Sequence, residues 1–285
     1  MSANVDRRRI LGPERSFPPV YAPVDATASG SGAKLVQDES MNGERANGEM
    51  RPLFIKTGLI SQANGSGYIE CGAVKIACAV YGPRPKPPPY SPEGTLNLEV
   101  KFAPFASHPR RAPLRDTEPP HLSHLLHSHL LPALQLHTLP KSSIDIYLLV
   151  LQSESPSIES VLASGLTVCA AAVADAGIAM NGLAVGTVTS LSGTATDSPP
   201  NAKPIIQLDP DGLQARAADA RVTVGCLPAL DALSDVWVTG EVTVDNLISM
   251  INECTQASQS AHATLAQAIL EGEQNKTSGM LVGGT

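Results

Sequence analysis

Residues 51–84 have the sequence RPLFIKTGLISQANGSGYIECGAVKIACAVYGPR, in which β-prone runs alternate with glycine-bearing turns. This alternation is typical of a hairpin or a meander, and it predicts a buried strand over residues 76–81. The glycines at residues 64–67 do not indicate a phosphate loop, because neither a Gly-Lys-Ser/Thr ending nor a helix start follows them. A hairpin turn is the better interpretation, so the stretch predicts the start of a β-rich core.

Two segments around this stretch are predicted to lack regular structure. Residues 24–50 are rich in small and polar side chains and cannot bury enough apolar surface to offset the entropy of ordering. We therefore predict a flexible linker there, preceded by an N-terminal arm at residues 1–23. The proline-rich segment PRPKPPPYSPEGT, residues 83–95, is predicted to be a surface loop, because proline removes hydrogen-bond donors and fixes φ.

The rest of the chain alternates further strand and helix patterns. The predicted strands are residues 96–102, 143–151, 183–191, 203–208, 221–227 and 237–240. The predicted helices are residues 121–136, which include Pro132, residues 158–176, which Gly177 ends, and a long helix from an N-cap at Thr243 through about Glu271. Residues 276–285 are expected to form a frayed C-terminal tail. This order predicts an α+β fold with βαβ elements.

The composition limits the functions that the chain can perform. Its 285 residues are 42% hydrophobic and 16% charged, so it can bury a core in one large domain or two intimate ones. The formal net charge is -7, whereas a free-standing nucleic-acid binder usually carries a basic excess that neutralises phosphates. Any RNA contact is therefore expected to be a local basic patch or to be shared with partner proteins.

Cysteine and histidine spacing argues against a metal site. The five cysteines include no Cys-x-x-Cys pair and are predicted to be reduced core thiols. Residues 121–137 contain five of the seven histidines, but none of these five stands four positions from another, the common spacing of zinc ligands on a helix. We interpret them as polar residues of a partly exposed helix and predict neither a metal nor a cofactor. With no recognisable signal peptide or membrane-length apolar run, we expect the cytosol or the nucleus.

From residue 51 onward the chain resembles the RNase PH family. The resemblance rests on residues 51–84 and on VKFAPFASHPRR (100–111), LPKSSIDIYLLVLQ (139–152) and AAAVADAGIAMNGLAVG (170–186), which occur in the family's order. The opening segment DRRRILGPERSFPPVYA, residues 6–22, is similar to the N-terminal arm of one type of ring subunit of the eukaryotic RNA exosome.

The resemblance implies a fold and an assembly. The fold is an RNase PH-like domain over residues 51–275, with two ββαβ-like halves of the ribosomal protein S5 domain 2-like type. The implied assembly is a hetero-hexameric ring with other RNase PH-like subunits, capped by S1/KH-domain proteins, through which single-stranded RNA passes toward hydrolytic nuclease subunits. It also implies a structural role in 3'-to-5' RNA processing and decay, in the nucleus, including the nucleolus, and in the cytoplasm.

Active relatives degrade RNA with inorganic phosphate, and the resemblance locates the residues for this chemistry. A phosphate dianion needs cations and hydroxyl or amide donors, because an unpaired buried dianion is too costly. The family places such donors, including an arginine, in a segment that corresponds here to SIESVLASGLT, residues 157–167. Leu162 or a neighbour takes the place of the arginine, and no Lys or Arg occurs between Lys141 and Lys203.

The acidic motif of active relatives is also altered. The family has an aspartate after a strand and a second aspartate six residues later, preceded by a glutamate. Counting from Asp209, the corresponding residues are Gln214 and Ala215, and Asp219 is the one displaced substitute. The chain is therefore predicted to be catalytically inactive, and the alternative is an active phosphate-dependent 3'-5' exoribonuclease.

Five basic residues fall in segments that the RNase PH family places toward the RNA path: Arg84, Lys101, Arg110, Arg111 and Arg115. Arginine suits phosphate because its planar fork donates two hydrogen bonds and stays protonated. These five residues are the predicted RNA-binding site. The alternative is that they are solvated loop charges or form ion pairs between subunits.

Overall fold

Five strands from the first half of the chain form one twisted sheet. The computed structural model describes residues 45, 47–107, 110, 120–153, 158–193 and 205–282. The strands are β1 (Leu53–Thr57), β2 (Gly65–Cys71), β3 (Val74–Pro85), β4 (Thr95–Phe102) and β5 (Ser142–Gln152). Their order in the sheet is β1-β2-β3-β5-β4, and all neighbours are antiparallel except β4 and β5. The meander predicted from residues 51–84 is confirmed as β1, β2 and β3.

A second sheet comes from the later part of the chain. Its strands are β6 (Val185–Ser192), β7 (Ile205–Leu208), β8 (Ala220–Leu227) and β9 (Ala232–Gly240), in the order β7-β6-β8-β9 with antiparallel neighbours. The helices are α1 (Pro120–Leu130), α2 (Glu159–Asp175), α3 (Gly212–Ala217) and α4 (Val244–Val282). None of these described helices combines the length and apolar character of a membrane span.

Helix α2 lies between the two sheets, where it contacts β2 and β3 on one side and β6 and β8 on the other. It can come this close because glycines face it. A Cβ atom on Gly65 of β2 would overlap the backbone of Ala172, and one on Gly186 of β6 would overlap the backbone of Ala163. The small-residue pattern that marked this helix in the sequence is therefore a packing requirement.

The central strands of the second sheet, β6 and β8, are buried on both faces. Helix α4 covers the face opposite α2, where Val222, Val224, Met250 and Cys254 form a separate core cluster. The layers are therefore the first sheet, α1 with α2, the second sheet, and α4, which confirms the α+β class. The described residues leave the outer face of the first sheet open.

Two predicted helices have different ends in the structure. Helix α1 ends at Leu130 and not at residue 136, because Pro132 lies in a following 3₁₀ turn and cannot continue an α-helix. Helix α4 continues to Val282, past the predicted end at residue 271. Gly272 lies inside this helix and does not end it. Its role is in packing, because the helix passes so close to β1 here that a Cβ atom would overlap the Thr57 side chain.

The N-terminal predictions are only partly covered by the described residues. The predicted arm at residues 1–23 and most of the predicted linker at residues 24–50 lie outside them. Where the linker is described, it contacts β7: Arg45 Nη2 donates to the Leu208 and Asp209 carbonyl oxygens (3.1 and 2.8 Å), and Leu208 N donates to Asn47 O at 2.7 Å.

Candidate functional site

The first half of α2, where the resemblance locates the phosphate-binding donors, borders a small cavity. Ser160, Ser164 and Thr167 line it together with Asp209 from the end of β7. The cavity encloses about 20 Å³, room for about one water molecule. No lysine or arginine is among the described residues that line it. Leu162, at the approximate position of the family's arginine, is buried in the core.

A basic residue that the sequence analysis missed lies close to the start of α2. Arg221 of β8 is paired with the buried carboxylate of Glu159, with 3.2 Å between Nε and Oε1. Its Nη1 also donates to the carbonyl oxygen of Ala215 at 3.3 Å. Arg221 thus contacts two protein acceptors. This pairing could not be predicted from the sequence, because Glu159 lies 62 positions from Arg221.

Asp209 is engaged by a buried arginine. Arg51 donates from Nε to Oδ2 at 2.8 Å and from Nη2 to Oδ1 at 2.6 Å, and both side chains are almost fully buried. Cys71 Sγ donates to Oδ2 at 3.3 Å. Burial by itself raises the pKa of the Asp209 carboxyl, but the hydrogen bonds and charge of Arg51, with smaller effects of Cys71 and Arg45, outweigh burial and lower the pKa. This carboxylate is therefore a structural anion.

The residues after Asp209 form a helix start where the family has its second acid. Asp211 is the N-cap of α3, and its side chain accepts from the backbone nitrogens of Leu213 and Gln214. Gln214 returns the contact, since its Oε1 accepts from Asp211 N at 2.9 Å, which completes a capping box. Ala215 is buried. Both residues at the positions of the family's acids thus serve the local fold.

Asp219, the displaced candidate acid, stands immediately before β8. Its backbone nitrogen donates to Leu191 O at 2.9 Å, and its side chain is half-buried.

Two of the five predicted RNA-binding residues, Arg84 and Lys101, lie on the first sheet. Arg84 lies on the exposed end of β3, with its guanidinium carbon 5.0 Å from the ring centroid of Tyr81. Lys101 lies near the end of β4 and is paired with Glu99, at 2.8 Å between Nζ and Oε1. Arg110 is exposed, and Arg111 and Arg115 lie outside the described residues.

Strand register separates Arg84 from Lys101. Arg84 pairs with Ser143 at the start of β5, and Lys101 pairs with Leu149 near its end. Six residues of strand correspond to about 20 Å. The structure therefore does not bring these two cations into one patch. Their separation depends on how β5 pairs with both β3 and β4, and this register could not be predicted from the sequence.

The sequence analysis also missed aromatic residues beside Arg84. The rings of Tyr81 and Tyr147 meet edge to face, with 5.9 Å between centroids, and Lys141 Nζ stands 5.4 Å from the ring centroid of Tyr90. The alternation of β5 predicts that Tyr147 faces outward with Asp145, but only the pairing of β3 with β5 places it next to Tyr81.

The histidine interpretation was wrong for one residue. His129 is 1% exposed, and neither of its ring nitrogens has a hydrogen-bond partner among the described residues. Its Nε2 is 3.8 Å from Asp235 Oδ2, too far for a hydrogen bond. It is buried because it follows Leu122 and Leu126 on the face of α1 that packs inward. Over the described part of the chain, no cluster of three metal-ligating side chains occurs.

Comparison with known proteins shows which family the chain resembles. The RNase PH family, described as the 3' exoribonuclease family, domain 1, matches residues 49–179. The human exosome complex component MTR3 is 34% identical over 250 residues, which are 83% of this chain and 84% of that protein. The exosome complex component mtr3 of Schizosaccharomyces pombe is 29% identical over 268 residues, 93% and 96% of the two chains. The crystal structure of rice Rrp46 superimposes with a TM-score of 0.67 at 17% identity, covering 80% of this chain and 98% of that one.

Proposed function

Because the chain belongs to the RNase PH family and is related to the exosome subunit mRNA transport regulator 3, we propose that it is a non-catalytic subunit of an exosome core ring. In this role it forms part of the central RNA channel, docks S1/KH-domain cap proteins and cooperates with hydrolytic nuclease subunits in 3'-to-5' RNA processing and decay. Its proposed locations are the nucleus, including the nucleolus, and the cytoplasm.

The pairing of Asp209 with Arg51 carries the non-catalytic assignment. Phosphorolysis needs a cation-rich pocket for phosphate next to a carboxylate that is available to the reaction. Here the carboxylate is bonded to a structural arginine, and the adjoining cavity holds about 20 Å³ and is lined by hydroxyl and apolar side chains. Arg221, a further cation close to the start of α2, is held by Glu159.

The open face of the first sheet supports the ring assignment. Phe54 and Leu149 on this face are 54% and 42% exposed. Large exposed apolar side chains grouped on one sheet face are typical of a surface that assembly covers. Strands β1 and β4 are the two edge strands of this sheet among the described residues, and edge strands are a further liability for an isolated subunit.

The five basic residues differ in how well the structure supports an RNA contact. Lys101 is paired with Glu99 on an exposed strand, which favours the alternative of a solvated ion pair. Arg84 remains the best supported RNA contact of the five. For Arg110, Arg111 and Arg115 the RNA contact stays a prediction.

A phosphorolysis assay tests the missing activity. The chain is co-purified with a neighbouring RNase PH-like subunit and incubated with single-stranded RNA, inorganic phosphate and magnesium, beside an active bacterial RNase PH as a positive control. We expect no nucleoside diphosphates from the co-purified pair. Release that is abolished by Asp219→Ala would show that the displaced acid restores catalysis and would overturn the assignment.

Co-expression tests the assembly. We expect the isolated chain to aggregate and to become monodisperse when produced with other RNase PH-like subunits, as measured by light scattering and native mass spectrometry. A stable monomer that fails to join such subunits would contradict a ring function.

A further inference from the structure

One corner of the first sheet carries three tyrosines interleaved with three cations, which we call the aromatic-basic strip: Tyr81, Arg84, Lys86, Tyr90, Lys141 and Tyr147. We propose that this strip binds single-stranded RNA, with bases stacked on the tyrosine rings and phosphates held by the cations. The inference rests on the proposed function, because it names the surface of the ring subunit that contacts the passing RNA.

Side-chain contacts connect one end of the strip. Tyr147 of β5 and Tyr81 of β3 are edge to face, at 5.9 Å and 68°. The Arg84 guanidinium lies over the Tyr81 ring, 5.0 Å from its centroid. A cation placed over a ring in this way holds the ring and leaves the donors of the guanidinium fork free to reach a phosphate from the same face.

Backbone pairing connects the other end. Arg84 pairs with Ser143, and two residues further along Lys86 N donates to Lys141 O at 3.0 Å, so the two chain segments lie side by side beyond the start of β5. Lys141 then places its Nζ 5.4 Å from the centroid of Tyr90. Arg84 and Lys86 are two positions apart in extended chain, a distance of about 7 Å, so the strip is continuous.

The strip is accessible and preformed. Tyr90 and Tyr147 are 59% and 45% exposed, and Arg84 and Lys141 are exposed beside them. Prolines flank Arg84 and precede Tyr90, and each fixes its own φ, which lowers the entropy that the loop loses on binding. A rigid surface of exposed aromatic rings and cations is the pattern that binds single strands without reading their sequence.

Charge favours RNA over an apolar protein partner at this corner. The two segments that carry the strip, residues 81–95 and 141–147, contain three cations and only two acids, Glu93 and Asp145. The Asp145 carboxylate already accepts a hydrogen bond from Asn97, with 2.7 Å between Nδ2 and Oδ1. An apolar partner would desolvate the cations with no counter-charge, whereas a phosphate backbone supplies one at every nucleotide.

Cross-linking in the assembled complex tests the location. The full chain is co-purified with its RNase PH-like partners, bound to a single-stranded RNA containing 4-thiouridine, irradiated, and analysed by mass spectrometry. We expect cross-linked peptides within residues 81–90 and 141–147. Cross-links to this chain that lie only elsewhere would overturn the proposal.

Affinity measurements separate stacking from charge. Tyr90→Leu and Tyr147→Leu remove the rings and keep apolar side chains, and we expect each to weaken RNA binding about 5- to 150-fold with an unchanged salt slope. Arg84→Gln and Lys141→Gln are each expected to lower the log-log salt slope by about one unit. Lys75→Gln, on the exposed pair with Glu70 at the other end of β3, is the matched control and should leave both quantities unchanged.

The outcomes distinguish this inference from the ring function. Normal sedimentation with unchanged RNA binding in all four variants would overturn the strip while leaving the ring assignment intact. Variants that fail to join the complex would also overturn it, because the corner would then be a subunit interface. Phosphorolysis by the complex would instead overturn the proposed non-catalytic function, whatever the cross-links show.

Discussion

Arg51 and Asp209 are 158 positions apart in the sequence and form a buried ion pair with two parallel hydrogen bonds, at 2.8 and 2.6 Å. Arg51 stands just before β1 in the first sheet, and Asp209 follows β7 in the second. The pair therefore ties the two sheets together at the position where the family's chemistry would require a free carboxylate. The same contact provides a structural link and supports the proposed absence of catalysis.

Asp209→Asn is expected to lower the free energy of unfolding by about 3–5 kcal/mol. The substitution leaves the Arg51 guanidinium buried without its counter-charge, which costs more than the pair itself contributes. Urea unfolding measures the loss. The matched control is Glu70→Gln, which breaks the exposed pair of Glu70 with Lys75 (3.6 Å) and should cost less than about 1 kcal/mol.

Acid titration of the same variant provides an independent check. The pKa of Asp209 is lowered in the folded state, so its contribution to stability is present above the unfolded value of about 3.9 and is lost as the pH falls through the folded pKa. The wild-type chain and Asp209→Asn should therefore converge in stability below about pH 4. A constant difference down to pH 2 would contradict the ion-pair explanation.

His129→Leu is expected to remove a pH dependence near neutrality. Burial lowers the pKa of His129, and the opposing effect of Asp235 is smaller. Because the unfolded imidazole, with a pKa of about 6.5, binds a proton more readily, stability is full above about pH 6.5 and declines as the pH falls from there. Thermal unfolding from pH 7.5 to 5.5 should show this decline in the wild type and in the exposed control His124→Leu. An equal decline in His129→Leu would show that another group is responsible.

Gly186→Ala is expected to destabilise the fold by about 1–3 kcal/mol, because its Cβ would overlap the backbone of Ala163 and force α2 away from β6. Gly48→Ala is the matched control. A Cβ at Gly48 meets no atom within 4 Å, so this change should fall within about 0.5 kcal/mol of the wild type. Equal unfolding midpoints for the two variants would mean that the helix and strand can separate at little cost.

The strands and the central helix could be predicted because their signals are local. The runs in residues 51–84 and the small-residue pattern of residues 158–176 each determine an element without reference to the rest of the chain. Helix α3 was missed although Asp211 and Gln214 fit the capping-box spacing, because six residues are too few for a helical hydrophobic period to be visible.

The site was less predictable because it depends on pairing between distant segments. The absence of a basic residue from residues 157–167 was visible in the sequence, but the partner of Asp209 was not, since Arg51 is 158 positions away. Arg84 was predicted as an RNA contact, yet the nearby Tyr147 comes from another strand, and its position requires the register of β3 with β5. Local patterns carry no information on such register.

The last eleven residues of α4 are expected to depend on one cation. Lys276 Nζ is 2.7 Å from Oδ1 of Asp175, a buried carboxylate at the end of α2, and also contacts Glu273 at 2.7 Å. Asp175 Oδ2 in turn accepts from Ser66 N at 2.9 Å, so the contact connects α4, α2 and β2. Burial lowers the pKa of Lys276, but the hydrogen bonds and charges of Asp175 and Glu273 outweigh it and raise the pKa.

Lys276→Met keeps much of the side-chain length and helix propensity and removes only the charge. We expect residues 272–282 to lose hydrogen-exchange protection while residues 244–265 keep theirs, because the latter pack on the second sheet through Met250 and Cys254. The loss of global stability should be only about 1 kcal/mol, since Lys276 is partly exposed and Asp175 keeps its bond from Ser66. Lys75→Met, on the exposed pair with Glu70, is the control and should leave α4 unchanged. Full protection of residues 272–282 in Lys276→Met would show that helix propensity and the contact of Gly272 with Thr57 hold this end, and that the ion pair does not.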